Sequence, residues 1–190
     1  MPSRSQRPQA ERLVIGITGR IGSGKTTVGK YLESTYGFQY LRYSEVLADW
    51  LAKDPEGKAQ LQKVGWDVMA GGAQAELNRR LVEQIMPDSD VAVDGLRHAL
   101  DYETLTACFS TSFTLLYLHT DAKERFERLR RLKKYTDLDS FEAADNHPVE
   151  QHIESLRTSA TMLIQNDRPL RNLYETVDEF VLSLGKEGQP

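Results

Sequence analysis

Cysteine is almost absent from this chain of 190 residues. Cys108 stands alone, which excludes an internal disulfide framework and a cysteine-based zinc cluster and fits a reducing compartment. Its Ala-Cys-Phe setting reads as a small buried hydrophobe. Long apolar runs are missing too: no stretch approaches the ~18 residues of a membrane span, and the opening MPSRSQRPQAER has no apolar signal core. A cytoplasmic address is the expectation. Residues 1–10 are polar and aperiodic and read as a disordered lead-in. Excess charge of one sign is also lacking, because 24 Lys and Arg against 28 Asp and Glu leave a net charge of −4. Nothing in that balance draws nucleic acid or an anionic membrane as the main partner, so any anion must be held locally. There are no internal repeats and no low-complexity tracts. With 39% hydrophobic and 27% charged residues, the chain fits one globular domain, placed at 11–185.

What the chain does have is alternation. Five short apolar runs, Leu13–Thr18, Phe38–Tyr43, Val91–Val93, Phe113–Leu118 and Met162–Ile164, are separated by stretches with helical spacing, such as Val28, Leu32 or Leu77, Leu81, Ile85. Continuous apolar strands between helices predict a parallel sheet covered on both faces, a three-layer α/β/α domain. Gly37 is expected to cap the first helix, Pro87 to end the helix before the third strand, and Asp121 to cap the helix after the fourth. Residues 133–148 are the least regular interior stretch and read as a loop that covers a ligand.

Between the first strand and the first helix stands Gly19-Arg-Ile-Gly-Ser-Gly-Lys-Thr26, which matches G-x-x-x-x-G-K-[ST] in the strand–loop–helix context that this motif requires. Glycines let backbone N–H groups close on phosphate oxygens. Arg20, Ile21, Ser23 and Thr27 complete the candidate nucleotide-binding loop with Gly19, Gly22 and Gly24; Lys25 is placed for the β- and γ-phosphates and Thr26 for Mg²⁺. The glycine spacing and the Lys-Thr ending exclude a dinucleotide loop. No N-K-x-D base-reading motif is present, which argues against a regulatory GTPase.

Asp94, at the end of Val91-Ala-Val-Asp-Gly-Leu-Arg97, is either a second Mg²⁺ ligand or the start of a turn. Arg97 projects at the carboxyl edge of the sheet, where it can hold an acceptor phosphate or make a surface ion pair. Seven basic and two acidic residues between Lys123 and Lys134 give a local excess of five positive charges. Phe126, Leu129 and Leu132 are expected to pack that helix on the core, leaving arginines on its other face, where one or two can close over phosphates or all can form a solvated charged face. The four histidines lack metal-pair spacing.

The chain resembles the nucleoside-monophosphate-kinase group of P-loop proteins from Leu13 to about Phe180. Asp94-Gly-Leu-Arg97 is similar to the DG-[FY]-P-R segment of adenylate kinases, and the loop shares Ile-Gly-Ser-Gly-Lys with dephospho-CoA kinases. The resemblance implies a five-stranded sheet in the order 2-3-1-4-5, ATP and Mg²⁺ as cofactors, and phosphoryl transfer to a small nucleotide-like acceptor, a nucleoside monophosphate or deoxynucleotide. It assigns catalytic roles to Lys25, Asp94, Arg97, Arg128 and Arg131, puts Asn166 beside the adenine, and places the acceptor near Arg42, Ser44, Arg97 and the stretch Leu61–Gly72. Arg79 and Arg80 remain alternatives for that acceptor or, with Glu76 and Glu83, surface pairs. A phosphate acceptor needs no general base, whereas the hydroxyl of dephospho-CoA would need Asp94 or Glu45. An ATP-binding switch without a small-molecule acceptor is the reading from another class.

Overall fold

The computed structural model describes residues 12–51, 67, 68 and 70–185. The lead-in and most of the acceptor stretch Leu61–Gly72 lie outside the described residues. Five parallel strands, β1 (Val14–Thr18), β2 (Gln39–Arg42), β3 (Val91–Leu96), β4 (Phe113–His119) and β5 (Met162–Gln165), form one sheet in the order β2-β3-β1-β4-β5. The helices are α1 (Lys25–Tyr36), α2 (Tyr43–Leu51), α3 (Gln74–Glu83), α4 (Ala99–Phe109), α5 (Ala122–Arg131), α6 (Leu138–Asp145), α7 (Pro148–Ser155) and α8 (Leu170–Ser183).

Alternation along β1 feeds two separate cores. Val14 joins Val93, Leu115, Leu77, Leu81 and Leu105 beneath α2, α3 and α4. Ile15 and Ile17 turn the other way, toward Val28, Leu32, Val177 and Val181 of α1 and α8. Double-sided burial holds for the central strands, while edge strands β2 and β5 are only partly covered. The order places β1, and therefore the loop after it, between β3 and β4. Between Ile17 and Thr18 the register with β3 shifts, so that Ile17 pairs with Asp94 but Thr18 with Leu96. That bulge at Gly95 sits next to the motif, where bulges commonly re-aim a side chain.

Local signals hold in part. Gly37 is left-handed and returns its N–H to the Glu33 carbonyl, while the Phe38 N–H goes to Leu32. Asp121 precedes α5, but its side chain caps nothing, and its own N–H goes to Asp167. α3 stops at Glu83, ahead of Pro87.

Three expectations are corrected. Residues 133–148 are not wholly irregular, because Asp137 accepts the Ser140 N–H and starts α6, and His147 with Pro148 starts α7. Leu132 lies past the last turn of α5 and is 63% exposed, whereas Arg125 is 4% exposed because Asp145 and backbone carbonyls satisfy its guanidinium. Cys108 is exposed rather than buried, on the outer side of α4. Among the described residues no helix is long and apolar enough to cross a membrane.

Candidate active site

A cavity of about 800 Å³ opens at the carboxyl end of the sheet. Its floor is the loop: Ile21, Gly22, Gly24, Lys25, Thr26 and Thr27 line it, while Gly19, Arg20 and Ser23 are not among the lining residues. Gly24 has φ 105°, and a Cβ there would stand 2.6 Å from the Asn166 amide nitrogen, so side chain and handedness both demand glycine. Asn166 therefore supports the loop by donating to the Ser23 carbonyl at 2.8 Å, and it also lines the cavity.

Lys25 donates to the carbonyls of Gly19 (2.6 Å) and Arg20 (3.1 Å). Desolvation holds its ammonium below the usual 10.5, with the charges of Asp94 and Glu150 opposing that shift. The Ser23 hydroxyl is buried without a hydrogen-bond partner. A lysine ammonium resting on two loop carbonyls at the floor of the cavity is placed to meet phosphate oxygens.

The two residues read as Mg²⁺ ligands meet: Thr26 Oγ1 donates to Asp94 Oδ2 at 3.2 Å. A hydroxyl and a carboxylate are hard oxygen donors, and Asp94 Oδ1 has no hydrogen-bond partner among the described residues, so the pair fits a magnesium ion. Tyr40 donates to the same Oδ2 at 2.7 Å. Burial and the Asp94 charge push the Tyr40 phenol far above its ordinary range.

Arg42, Ser44 and Arg97 line the same cavity. Arg42 pairs with Glu45 at 2.8 Å, and its Nε, 3.9 Å from Asp94, has no hydrogen-bond partner. Arg97 is no surface pair. Its Nη1 meets Oε1 of the fully buried Glu150 at 2.6 Å, and the other carboxylate oxygen accepts the Ile21 N–H at 2.8 Å. Beneath them lies Asp101, which accepts the backbone N–H groups of Arg97 and His98. Burial raises the Asp101 carboxyl, and those bonds oppose the shift.

From α5, Arg128 and Arg131 both line the cavity. Arg128 gives Nη2 to the Asn166 carbonyl at 2.6 Å, while Arg131 has no ion-pair or hydrogen-bond partner among the described residues. Arg20 turns away to Asp145, the same carboxylate that holds Arg125. Arg79 and Arg80 are engaged by Glu76, with Glu83 on Arg79, and neither lines the cavity. Sequence reasoning missed Glu150, Asp145 and Tyr40. Only the first-turn position of Glu150, two residues after Pro148, marked it as more than a surface acid.

The parallel sheet, the glycine loop before α1 and the cationic cavity above it define a P-loop kinase of the nucleoside-monophosphate-kinase-like type. Residues 15–150 match the family model described as an AAA domain, and the chain belongs to that family. It is 27% identical over 182 residues to adenylate kinase 9 of Mus musculus, which covers 90% of this chain but only 9% of that protein. It is 25% identical over 199 residues to dephospho-CoA kinase of Streptococcus mutans, covering 92% and 98% of the two chains. A shikimate kinase from Acinetobacter baumannii, solved with shikimate, shares the fold with a TM-score of 0.55 at 19% identity, over 93% of this chain and 98% of that one.

Proposed function

We propose that this chain transfers the γ-phosphoryl group of ATP to a small nucleotide-like acceptor, a nucleoside monophosphate or deoxynucleotide. The observation that carries the reading is the shared cavity: residues of the phosphate loop line it together with Arg42, Ser44 and Arg97. Cations from the loop and from the ends of β2 and β3 in one cavity suit two phosphate-bearing ligands.

In this reading the N–H groups of residues 22–27 hold the ATP phosphates, and Lys25 leaves its two carbonyls for the β- and γ-oxygens. Thr26 and Asp94 hold Mg²⁺, which supplies neutralisation of charge on the transferred group. Arg97 and Arg42 orient the acceptor phosphate. Arg128 and Arg131 meet the charge that spreads in the transition state. An acceptor phosphate is already ionised, so no side chain has to remove a proton. Glu45 fits that economy, since it is committed to Arg42 and does not line the cavity.

The dephospho-CoA reading is favoured by the full-length similarity to the streptococcal enzyme, and there Asp94 would accept the hydroxyl proton. ADP release measured with each acceptor class in turn separates the two. Turnover with mononucleotides supports the first reading, and turnover with dephospho-CoA alone replaces it.

A further inference from the structure

Gly29 occupies the middle of α1, where glycine weakens a helix relative to alanine. The reason lies on β2. A Cβ at position 29 would stand 2.1 Å from Cε2 and 2.5 Å from Cζ of Tyr40, so the tyrosine ring lies directly against the helix backbone. That path carries the phenol hydroxyl under the loop to Asp94 Oδ2, 2.7 Å away, where the Thr26 hydroxyl also donates at 3.2 Å. Arg42 Nε approaches the same oxygen at 3.9 Å. All three groups converge on Oδ2, while Oδ1 has no hydrogen-bond partner among the described residues, and Asp94 lines the cavity at 5% exposure.

We propose that Tyr40 is a positioning residue for Asp94: it pins Oδ2 and leaves Oδ1 as the open oxygen for a divalent cation or its water, and Gly29 is small so that the ring can pass. The proposal rests on reading Asp94 as a cation-holding carboxylate. A carboxylate with one oxygen fixed by hydroxyl donors has lost its freedom to rotate, which is how outer partners tune a cation site. Without the phenol, Oδ2 would keep the Thr26 hydroxyl, itself a ligand candidate, and the longer 3.9 Å approach of Arg42.

Two measurements test this. In the first, melting temperatures are compared around a cycle of Gly29→Ala and Tyr40→Ala. Gly29→Ala should lower the melting temperature of the otherwise natural chain, yet leave it unchanged or raise it when Tyr40 is already alanine. An equal loss on both backgrounds overturns the packing claim. In the second, Mg²⁺ is titrated into the protein with a non-hydrolysable ATP analogue, and the affinity is read by calorimetry. Tyr40→Phe keeps the ring and should raise the Mg²⁺ concentration for half-maximal binding by about 10-fold. Gly29→Ala, which displaces the ring, should do the same. If Asp94→Asn shifts this Mg²⁺ dependence and Tyr40→Phe does not, the positioning role is overturned. If Asp94→Asn also leaves it unchanged, the underlying reading of Asp94 falls instead.

Discussion

Arg97 and Glu150 are joined by a 2.6 Å contact between Nη1 and Oε1, and the acid is fully buried. Its second oxygen takes the Ile21 N–H. One carboxylate on α7 thus ties the end of β3 to the phosphate loop. Glu150→Ala leaves the Ile21 N–H without its acceptor and strips the counter-ion from Arg97, whose side chain is 29% exposed and can be hydrated, so it should cost about 1–3 kcal/mol of unfolding free energy. Glu150→Gln should cost clearly less, because an amide oxygen can still accept from Ile21. Urea unfolding of both variants decides it, and a loss below about 1 kcal/mol for Glu150→Ala would contradict the account.

Lys25 and Arg131 separate binding from turnover. Lys25→Met should abolish detectable phosphoryl transfer and weaken ATP binding, since it removes the cation nearest the loop. Arg131, which has no ion-pair or hydrogen-bond partner among the described residues, should act later: Arg131→Ala is expected to lower kcat about 10²-fold or more with ATP affinity changed little. Arg128→Ala should raise the KM for ATP as well, because Arg128 also holds the Asn166 carbonyl. Steady-state kinetics with ATP varied would reveal the split. Equal effects of the two arginines on kcat and KM would speak against it.

The phosphate loop was legible because its chemistry is local: eight consecutive residues carry the turn, the charge and the hydroxyl. Asp94 was legible for the same reason, as an acid at a strand end. The partners that hold these groups were not. Glu150 is 129 positions from Ile21 and 53 from Arg97, and Asp145 is 125 from Arg20. No periodicity records such pairings. The same limit explains the misplacement in α5, where the pattern of apolar residues promoted Leu132 and overlooked Arg125. Burial of that arginine depends on an acid from another helix. The strand order came from resemblance and agrees with the observed sheet, while the edge strands turned out less covered than a uniform apolar reading implied.

Alkaline pH gives a third check on the packing. Burial, and then the charge of Glu154, pushes the Tyr117 phenol up to about 12 from its usual 10. The unfolded chain ionises first, so this contribution to stability is complete below pH 10 and is lost as pH rises from 10 to about 12. Thermal unfolding across that window should show a falling melting temperature. Tyr117→Phe should flatten the slope by the equivalent of one proton, and an unchanged slope would mean that Tyr117 ionises as freely folded as unfolded.

At the acid end, the paired Glu76 on α3 is the group to watch. Arg79, helped by Arg80, holds its carboxyl down to about 2. A lowered carboxyl contributes stability that is present above its unfolded value of 4.5 and lost as pH falls toward about 2. Glu76→Gln should therefore narrow the difference in melting temperature between pH 5 and pH 2, by a small amount because the pair is on the surface.

The central claim is acceptor-dependent phosphoryl transfer in the cavity that the phosphate loop shares with Arg42 and Arg97. It is tested most directly by coupled ADP release from the full chain with Mg-ATP, measured alone and with nucleoside monophosphates, deoxynucleoside monophosphates and dephospho-CoA. The account predicts slow release without acceptor and stimulation of at least about 10²-fold by one or more mononucleotides, lost in Arg97→Ala. Tight ATP binding with slow release that no acceptor accelerates would contradict it and would mark the chain as an ATP-responsive switch.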